Sequence, residues 1–187
     1  MTTNPLRALT DRRLQRIAGP CGIVLFGITG DLAKRKILPA LYDLTNRGLL
    51  PPSFSIVGVA RRDIDVRSAV EQSVREGAKT PVSDTALKQL LDGVSLIVGG
   101  YDDPEMYRAL AQHLRGLDET RGTGGNFAFY LSIPPRLFPA VTEGLAGADL
   151  NRGENGSWRR VVIEKPFGRD LASARELDET VRAVFPE

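Results

Sequence analysis

The sequence is poor in the residues that most often carry metal and redox chemistry. Its 187 residues include one cysteine, Cys21, and one histidine, His113. A single cysteine excludes an intrachain disulfide and a cysteine cluster for zinc, and we expect no metal site. Because His113 lies on or next to the apolar stripe of a predicted helix, we interpret it as a structural residue rather than a catalytic one.

Long apolar runs and a strong excess of charge are also missing. No apolar run approaches the roughly 20 residues that a membrane-spanning helix needs. The formal net charge of +2 is too small to indicate a nucleic-acid partner by itself. With 42% apolar and 26% charged residues, the composition is typical of a soluble globular protein. We therefore expect no membrane, no nucleic acid and a cytoplasmic location.

Residues 1–19 differ from the rest of the chain in composition. They contain one acid and several arginines, and they lack the apolar core of a secretory signal. A short solvated extension is our interpretation, and an organelle transit peptide is the alternative. The remaining residues, 20–187, are enough for one domain with a hydrophobic core of its own.

From residue 20 onward, apolar strand-like segments alternate with helical patterns. The predicted strands cover residues 22–26, 54–60, 94–98, 126–132 and 160–164. These segments are apolar without alternating polarity, which indicates burial on both faces. The sequence therefore predicts an α/β fold, namely a doubly wound, mostly parallel sheet with helices on both faces. In such sheets, ligands bind at the carboxyl ends of the strands.

Helix boundaries are predicted from capping residues and prolines. We predict that Asp31, Asp63 and Ser83 each cap a helix. Pro39 interrupts the first helical pattern, which predicts a kink or two short helices. The last predicted helix is expected to turn its first residue, Leu171, toward the core.

The end of the first predicted strand carries the pattern G-x-x-G-x-x-A, formed by Gly27, Gly30 and Ala33. Glycines allow a tight turn in which backbone N–H groups approach an anion, and a helix N-terminus adds positive potential. The spacing differs from the dinucleotide fingerprint G-x-G-x-x-G, and no G-K-[ST] follows, which excludes a Walker A loop. The pattern indicates a phosphate-binding turn for a dinucleotide, and an ordinary turn before a helix is the alternative.

Arg61 and Arg62 follow the second predicted strand. NAD enzymes often place an acid there to bind the ribose 2′-hydroxyl. Guanidinium groups instead suit a 2′-phosphate and stack on an adenine ring, so the arginines predict a preference for NADP. Asp63 is an alternative ribose ligand, although its place before a helical pattern favours a cap. A solvated turn is the alternative interpretation of the arginine pair.

Two further strand ends carry residues of interest. Gly99, Gly100 and Tyr101 end the third predicted strand, where they either border a cofactor or form a turn. The fifth strand ends in E-K-P-F-G, in which Lys165 is able to bind a phosphate or a sugar hydroxyl. Pro166 fixes the local backbone. A solvated lysine is the alternative interpretation of Lys165.

Five sequence blocks, in this order, resemble the N-terminal coenzyme domain of the glucose-6-phosphate dehydrogenase family. They are GITGDLAKRKILPALYDL, IVGVAR, VGGYDD, FYLSIPP and VVIEKPFGRDL, and the resemblance covers about residues 22–184. It implies a Rossmann-like NADP-binding domain of an oxidoreductase that oxidises glucose 6-phosphate to 6-phosphogluconolactone in the pentose phosphate pathway. The family's G-x-x-G-D-L-A motif accounts for the irregular glycine spacing, and the EKPFG block argues against another sugar or short-chain dehydrogenase.

The resemblance assigns roles to residues at the strand ends. It implies that Arg61 meets the 2′-phosphate and adenine of NADP, and that Gly100 and Tyr101 border the adenosine side. Lys165 would reach both the nicotinamide region and glucose 6-phosphate, and Pro166 would help to position coenzyme and substrate. The residues implied to wrap the pyrophosphate are Gly27, Ile28, Thr29, Gly30, Asp31, Leu32, Ala33 and Lys34.

One block of the family pattern, R-I-D-H-Y-L-G-K-E, is absent from these 187 residues. In the family, a histidine of this block binds the substrate phosphate. A later histidine, in a second domain that also carries the contacts of the homo-oligomer, acts as the general base. Because His113 matches neither histidine, we expect a coenzyme half that has no catalytic residue of its own and is inactive alone. The alternative is a non-catalytic NADP-binding module or one half of a split protein that needs a partner chain.

Overall fold

Strands and helices alternate along the chain, as the apolar pattern predicts. A computed structural model describes residues 17–165, 167–168 and 170–185. The strands are β1 (Gly22–Phe26), β2 (Ser55–Ala60), β3 (Val94–Val98), β4 (Phe127–Leu131) and β5 (Arg159–Ile163). The α-helices are α1 (Leu38–Asn46), α2 (Val66–Gly77), α3 (Asp84–Leu91), α4 (Pro104–Arg121), α5 (Phe138–Gly147) and α6 (Leu171–Val184). Within the described ranges, no helix combines the length and the apolar character needed to cross a membrane.

The strands of the described residues form one parallel sheet in the order β3-β2-β1-β4-β5. Val24 of β1 lies opposite Val57 of β2 on one side and opposite Phe129 of β4 on the other. The chain builds outward from β1 to β3, then returns to the other side of β1 to add β4 and β5. The strand order therefore reverses between β1 and β4, and the predicted doubly wound α/β fold is confirmed.

Each face of the sheet has its own hydrophobic core. One core packs residues such as Leu25 and Ile56 against α1, α2 and α3. The other packs residues such as Phe26 and Phe129 against α4 and α5. β1 and β2 are buried along their whole length, whereas β5, at the edge, alternates between half-buried and exposed residues. Helices therefore cover both faces, as predicted.

The first helical segment divides near Pro39, as predicted. A π-helical turn, Ala33–Ile37, precedes α1, and Pro39 is the second residue of α1. The π-helical turn runs directly into α1, with the Leu38 N–H donating to the Ala33 carbonyl, so Pro39 lies where the hydrogen-bond pattern changes from π-helical to α-helical. Gly48 then closes the segment with a φ of +66°, and its N–H donates to the Thr45 carbonyl at 2.9 Å. The glycine has the left-handed conformation of a helix C-terminus.

Two predicted side-chain positions are wrong. Asp65 rather than Asp63 caps α2, because the helix begins later than the pattern suggested, and the Asp65 carboxylate accepts the Ser68 N–H at 3.0 Å. Leu171 does not face the core, since 66% of its surface is exposed. The part of α6 that packs against the second core is its later turns, including Leu177.

Candidate functional site

The glycine turn after β1 is built against the end of β4. Gly27 has a φ of +80°, and its N–H donates to the Val59 carbonyl at 3.2 Å. A Cβ at Gly27 would lie 2.5 Å from the Ser132 carbonyl oxygen. The Gly30 N–H donates to the Gly27 carbonyl at 2.8 Å, and a Cβ at Gly30 would lie 3.1 Å from that same oxygen. The turn therefore lies where the strand order reverses, with no room for a side chain at Gly27.

A helical turn begins directly after Gly30. Asp31 already has helical backbone, and the Gly30 carbonyl accepts the Lys34 N–H at 3.0 Å, so the prediction that Asp31 is the cap is wrong. The first N–H groups of a helix have no partner within the helix, and with the helix dipole they favour an anion at this end. The exposed bases of the π-helical turn add positive charge nearby, and they are Lys34, Arg35 and Lys36.

The predicted pyrophosphate-binding residues divide into buried and exposed groups. Ile28 and Ala33 are buried in the first core, with exposed fractions of 3% and 0%. The Ile28 side chain packs on Gly58 of β2, where a Cβ would lie 2.6 Å from Ile28 Cδ1. Ile28 therefore supports the glycine turn from the side of the first core. Ligand contact by Ile28 and Ala33 is therefore restricted to their backbone. The exposed members of the group are Thr29, Asp31, Leu32 and Lys34.

Arg61 and Tyr101 follow neighbouring strands, β2 and β3, and both lie near the glycine turn. Burial raises the pKa of Tyr101, while the Arg61 charge and the Gly27 backbone N–H act in the opposite direction. The Tyr101 phenol is therefore within electrostatic reach of both residues. Its ring also packs edge-on against Phe26, with 5.9 Å between ring centroids. The structure thus brings together three residues that the sequence placed in one site.

The turn after β3 is fixed by backbone hydrogen bonds. The Gly99 N–H donates to the Ala60 carbonyl at 3.0 Å, which ties the ends of β2 and β3 together. A Cβ at Gly100 would lie 2.7 Å from Asp102 Oδ1, so the turn is tight at this residue. The Tyr101 carbonyl accepts the Tyr107 hydroxyl at 2.7 Å. These contacts hold Tyr101 in place at the mouth of the crevice.

Lys165 lies beyond the end of β5, on the opposite side of β1 from Arg61. Its side chain is exposed, and it forms no ion pair with another described residue. The residue before it, Glu164, accepts a hydrogen bond from the Tyr130 hydroxyl. Pro166, which the sequence assigned to the same site, lies outside the described residues. The structure therefore places Lys165 at the predicted edge of the sheet.

His113 is engaged within the fold. Its Nε2 lies 2.7 Å from the Ser95 hydroxyl, which belongs to the first half of β3 and thus to the end of the sheet away from the glycine turn. Burial lowers the pKa of His113. Across the residues that the structure describes, no group of three or more histidine, cysteine, aspartate or glutamate side chains is placed to hold a metal ion.

Sequence reasoning missed the Tyr130–Glu164 contact and the backbone contacts of Gly27 to Val59 and Ser132. A signal for the first was present, because residues two apart on a strand share a face. That signal identifies Glu164 as the partner only when the register between β4 and β5 is known, which places Tyr130 opposite Val162. The backbone contacts carry no side-chain signal, so only the fold reveals them.

Three comparisons relate this chain to known proteins. The family model described as glucose-6-phosphate dehydrogenase, NAD binding domain, matches residues 24–187. Glucose-6-phosphate 1-dehydrogenase 2 of Mycobacterium tuberculosis is 55% identical over 98% of this chain, and glucose-6-phosphate 1-dehydrogenase 2 of Mus musculus is 35% identical over 88%. This chain spans 36% of the length of the first relative and 31% of the second.

Solved structures give the same relationship. A glucose-6-phosphate dehydrogenase in complex with its substrate glucose-6-phosphate superimposes with a TM-score of 0.79 and 31% identity, covering 92% of this chain and 36% of that one. Glucose-6-phosphate 1-dehydrogenase from Mycobacterium avium superimposes with a TM-score of 0.75 and 35% identity, covering 89% of this chain and 34% of that one.

Proposed function

Because the chain belongs to the glucose-6-phosphate dehydrogenase family, through the family's NAD-binding domain, we propose that it binds NADP at the crevice between β1 and β4. A nicotinamide dinucleotide is the cofactor of this domain family, and the preference for NADP is our inference. The observation that carries it is Arg61, which directly follows β2 and lies near Tyr101 and the glycine turn, whereas the first acid after β2, Asp63, comes two residues later. The domain that binds NADP comprises residues 20–187 in this proposal.

The residues of the crevice suit each part of this coenzyme. The glycine turn offers bare backbone and a helix N-terminus to the pyrophosphate. Arg61 provides a guanidinium for the 2′-phosphate, while Gly100 and Tyr101 border the adenosine. Lys165, on the other side of β1, takes the nicotinamide half and the phosphate of the substrate. When bound, NADP supplies the hydride acceptor.

The activity that we propose for the family enzyme is oxidation of glucose 6-phosphate to 6-phosphogluconolactone, in the cytoplasm and as a homo-oligomer. Hydride leaves C1 of the sugar while a base takes the proton of the 1-hydroxyl. His113 is the one histidine of the sequence, and it is hydrogen-bonded to Ser95 away from the crevice. The contribution of these 187 residues is therefore binding and orientation. A second candidate is a non-catalytic NADP-binding module, or one half of a split protein that needs a partner chain, and the distant position of His113 favours it.

The role of Arg61 is tested by comparing NADP and NAD. Changing Arg61 to Ala removes a charge-assisted contact worth roughly 1.5–3 kcal/mol, so NADP affinity should fall about tenfold or more. NAD has no 2′-phosphate, so its affinity should change little. Calorimetric titration of the purified chain measures both dissociation constants.

The neighbouring arginine provides a matched control. Arg62→Ala removes the same charge from the next residue, which is also exposed, and it should leave the ratio of NADP to NAD affinity close to that of the unaltered chain. Equal losses of NADP and NAD affinity in Arg61→Ala would show that Arg61 does not read the 2′-phosphate. An unaltered chain that binds neither coenzyme would overturn the proposed function.

A further inference from the structure

A hydroxyl–carboxylate contact joins the carboxyl ends of β4 and β5. The Tyr130 hydroxyl donates a hydrogen bond to the Glu164 carboxylate. Tyr130 is half-buried and packs at the margin of the first core, whereas Glu164 is exposed and follows the last residue of β5. Neither residue has a role in the coenzyme site described above, although Glu164 directly precedes Lys165.

The register of the two strands explains why these side chains meet. Tyr130 lies opposite Val162, and Glu164 is two residues further along the chain, so it shares the face of Val162. A diagonal pair of this kind is within reach of an aromatic side chain. The intervening residues, Leu131 and Ile163, belong to the second core on the other face of the sheet. The contact therefore joins β4 and β5 on the face of the sheet that carries the first core.

The Tyr130 hydroxyl is the donor of this hydrogen bond at neutral pH. Burial, the hydrogen bond to Glu164 and the charge of that carboxylate together raise the pKa of Tyr130 to about 12. The hydroxyl thus keeps its proton and acts as the donor. An O–H donor on an ionised carboxylate forms a charge-assisted hydrogen bond, which is stronger than a neutral one.

Among the described residues, the end of β5 is bordered by one neighbouring strand. β5 is an edge strand that pairs only with β4 among the described strands, and the ladder ends at Ile163. Farther along the chain, at the start of α6, the Asp170 side chain accepts the Ser173 N–H at 2.8 Å. Gly168 packs closely on the same turn, since a Cβ there would lie 2.6 Å from Ser173 Oγ. Lys165 thus lies in a short segment between the Tyr130–Glu164 contact and the start of α6.

We propose that the Tyr130–Glu164 pair is a positioning element for Lys165. The hydrogen bond fixes the backbone at the residue before Lys165. It also keeps the Glu164 carboxylate engaged with Tyr130, so that this carboxylate does not pair with the neighbouring ammonium group. Lys165 then remains free to bind an anionic or polar group of the nicotinamide half of the coenzyme. This inference rests on the proposed NADP function.

Two ligands separate the two halves of the site. NADP spans the crevice, whereas adenosine 2′,5′-bisphosphate lacks the nicotinamide half and reaches only the Arg61 side. Tyr130→Phe and Glu164→Ala should each weaken NADP binding about three- to tenfold, since each removes one charge-assisted hydrogen bond. The affinity for adenosine 2′,5′-bisphosphate should stay within about twofold of that of the unaltered chain, which a general loss of structure would not allow.

Conservative and combined variants identify the hydrogen bond as the cause. Glu164→Gln keeps an acceptor oxygen for the Tyr130 hydroxyl, so it should restore NADP affinity to within about twofold of the unaltered chain. The double variant of Tyr130→Phe and Glu164→Ala should be no weaker than either single variant. Because Tyr130 and Glu164 are proposed to act through Lys165, their variants should lose no more NADP affinity than Lys165→Ala. Tyr42→Phe removes a phenol hydrogen bond far from Lys165, in which the Tyr42 hydroxyl accepts the Ser83 N–H at 2.7 Å, and it should leave NADP affinity unchanged.

The outcomes separate this inference from the proposed function. NADP binding that is unaffected by Tyr130→Phe or by Lys165→Ala, in a chain that binds NADP, overturns the positioning role and leaves the proposed function standing. Equal losses for both ligands in Tyr130→Phe also overturn it, because they show a structural effect. A chain that binds neither ligand before any substitution overturns the proposed function and this inference with it.

Discussion

At the scale of the residue, Gly27 joins the glycine turn to the sheet. Its φ of +80° is unfavourable for residues with a side chain, and the space where a Cβ would lie is filled by the Ser132 carbonyl at 2.5 Å. Ser132 follows the last residue of β4, and its N–H donates to the Phe26 carbonyl at 3.1 Å. Backbone conformation and close packing therefore both require glycine at the point where the strand order reverses.

Gly27 can be compared with Gly48, which shares only one of these constraints. Gly48 also has a positive φ, +66°, but nothing lies within 4 Å of a Cβ built there. Gly48→Ala should lower the free energy of unfolding by about 1–2 kcal/mol, the cost of a left-handed backbone. Gly27→Ala adds a clash with backbone and should cost about 2–5 kcal/mol in total. Urea-induced unfolding measures both, and equal losses would contradict the role of the Ser132 contact.

Individual residues were predictable from the sequence where the backbone alone decides the position. Gly27 and Arg61 follow buried strands directly, so the prediction that they share one edge of the sheet needed only the parallel order. The cap of α2 required a choice between Asp63 and Asp65, which lie two residues apart, and the apolar pattern does not locate a helix start that finely. The contact of Tyr130 depends on register between strands, which the sequence of one strand does not contain.

At the scale of the element, α4 is held at its end by Arg121. The Arg121 guanidinium donates hydrogen bonds to the Ser55 hydroxyl at 3.1 Å and to the carbonyls of Pro52, Phe54 and Asp92 at 3.1, 3.3 and 3.1 Å. These acceptors belong to the segments that lead into β2 and β3. One side chain therefore ties the end of α4 to the amino ends of two strands, which lie at the end of the sheet opposite the crevice.

Replacing Arg121 should destabilise the fold without affecting the coenzyme site. Arg121→Met keeps an apolar stem but loses the charged donors, and the free energy of unfolding should fall by roughly 1.5–3 kcal/mol. NADP affinity of the folded chain should stay the same, because the contacts lie at the amino ends of the strands. Arg115→Met, an exposed position on the same helix, should change stability by less than about 0.5 kcal/mol. Similar stability losses in both variants, measured by urea-induced unfolding, would contradict the tie.

The elements themselves were largely predictable, and their ends were less so. β1 has the predicted bounds, α6 begins at the predicted residue, Leu171, and Ser83 caps α3 as expected by accepting the Ala86 N–H at 3.4 Å. The apolar stripe of α4 ends at Leu117, but the helix continues to Arg121, where Gly122 closes it with a φ of +69°. The apolar stripe stops before that glycine because the last turn is held by Arg121 rather than by buried apolar side chains.

At the scale of the whole molecule, the two halves of the candidate site differ in how completely they are enclosed. The half near Arg61 is built on β1 and β2, which are buried throughout and packed by helices. The half near Lys165 is built on the edge strand, and apolar side chains around it are exposed: 37% for Val162, 47% for Phe167 and 66% for Leu171. The proposed adenosine side of the crevice is therefore built on buried strands, and the proposed nicotinamide side is built on an exposed edge strand.

We predict that the 187-residue chain binds NADP without turning over substrate. A base must take the proton of the sugar 1-hydroxyl as hydride leaves, and the one imidazole, that of His113, is held by Ser95 away from Lys165. With NADP and glucose 6-phosphate, NADPH formation should not exceed that of a protein-free blank, while a full-length glucose-6-phosphate dehydrogenase gives signal in the same assay. Turnover that persists through purification and disappears in Arg61→Ala would contradict this, because it would place the whole reaction within this chain.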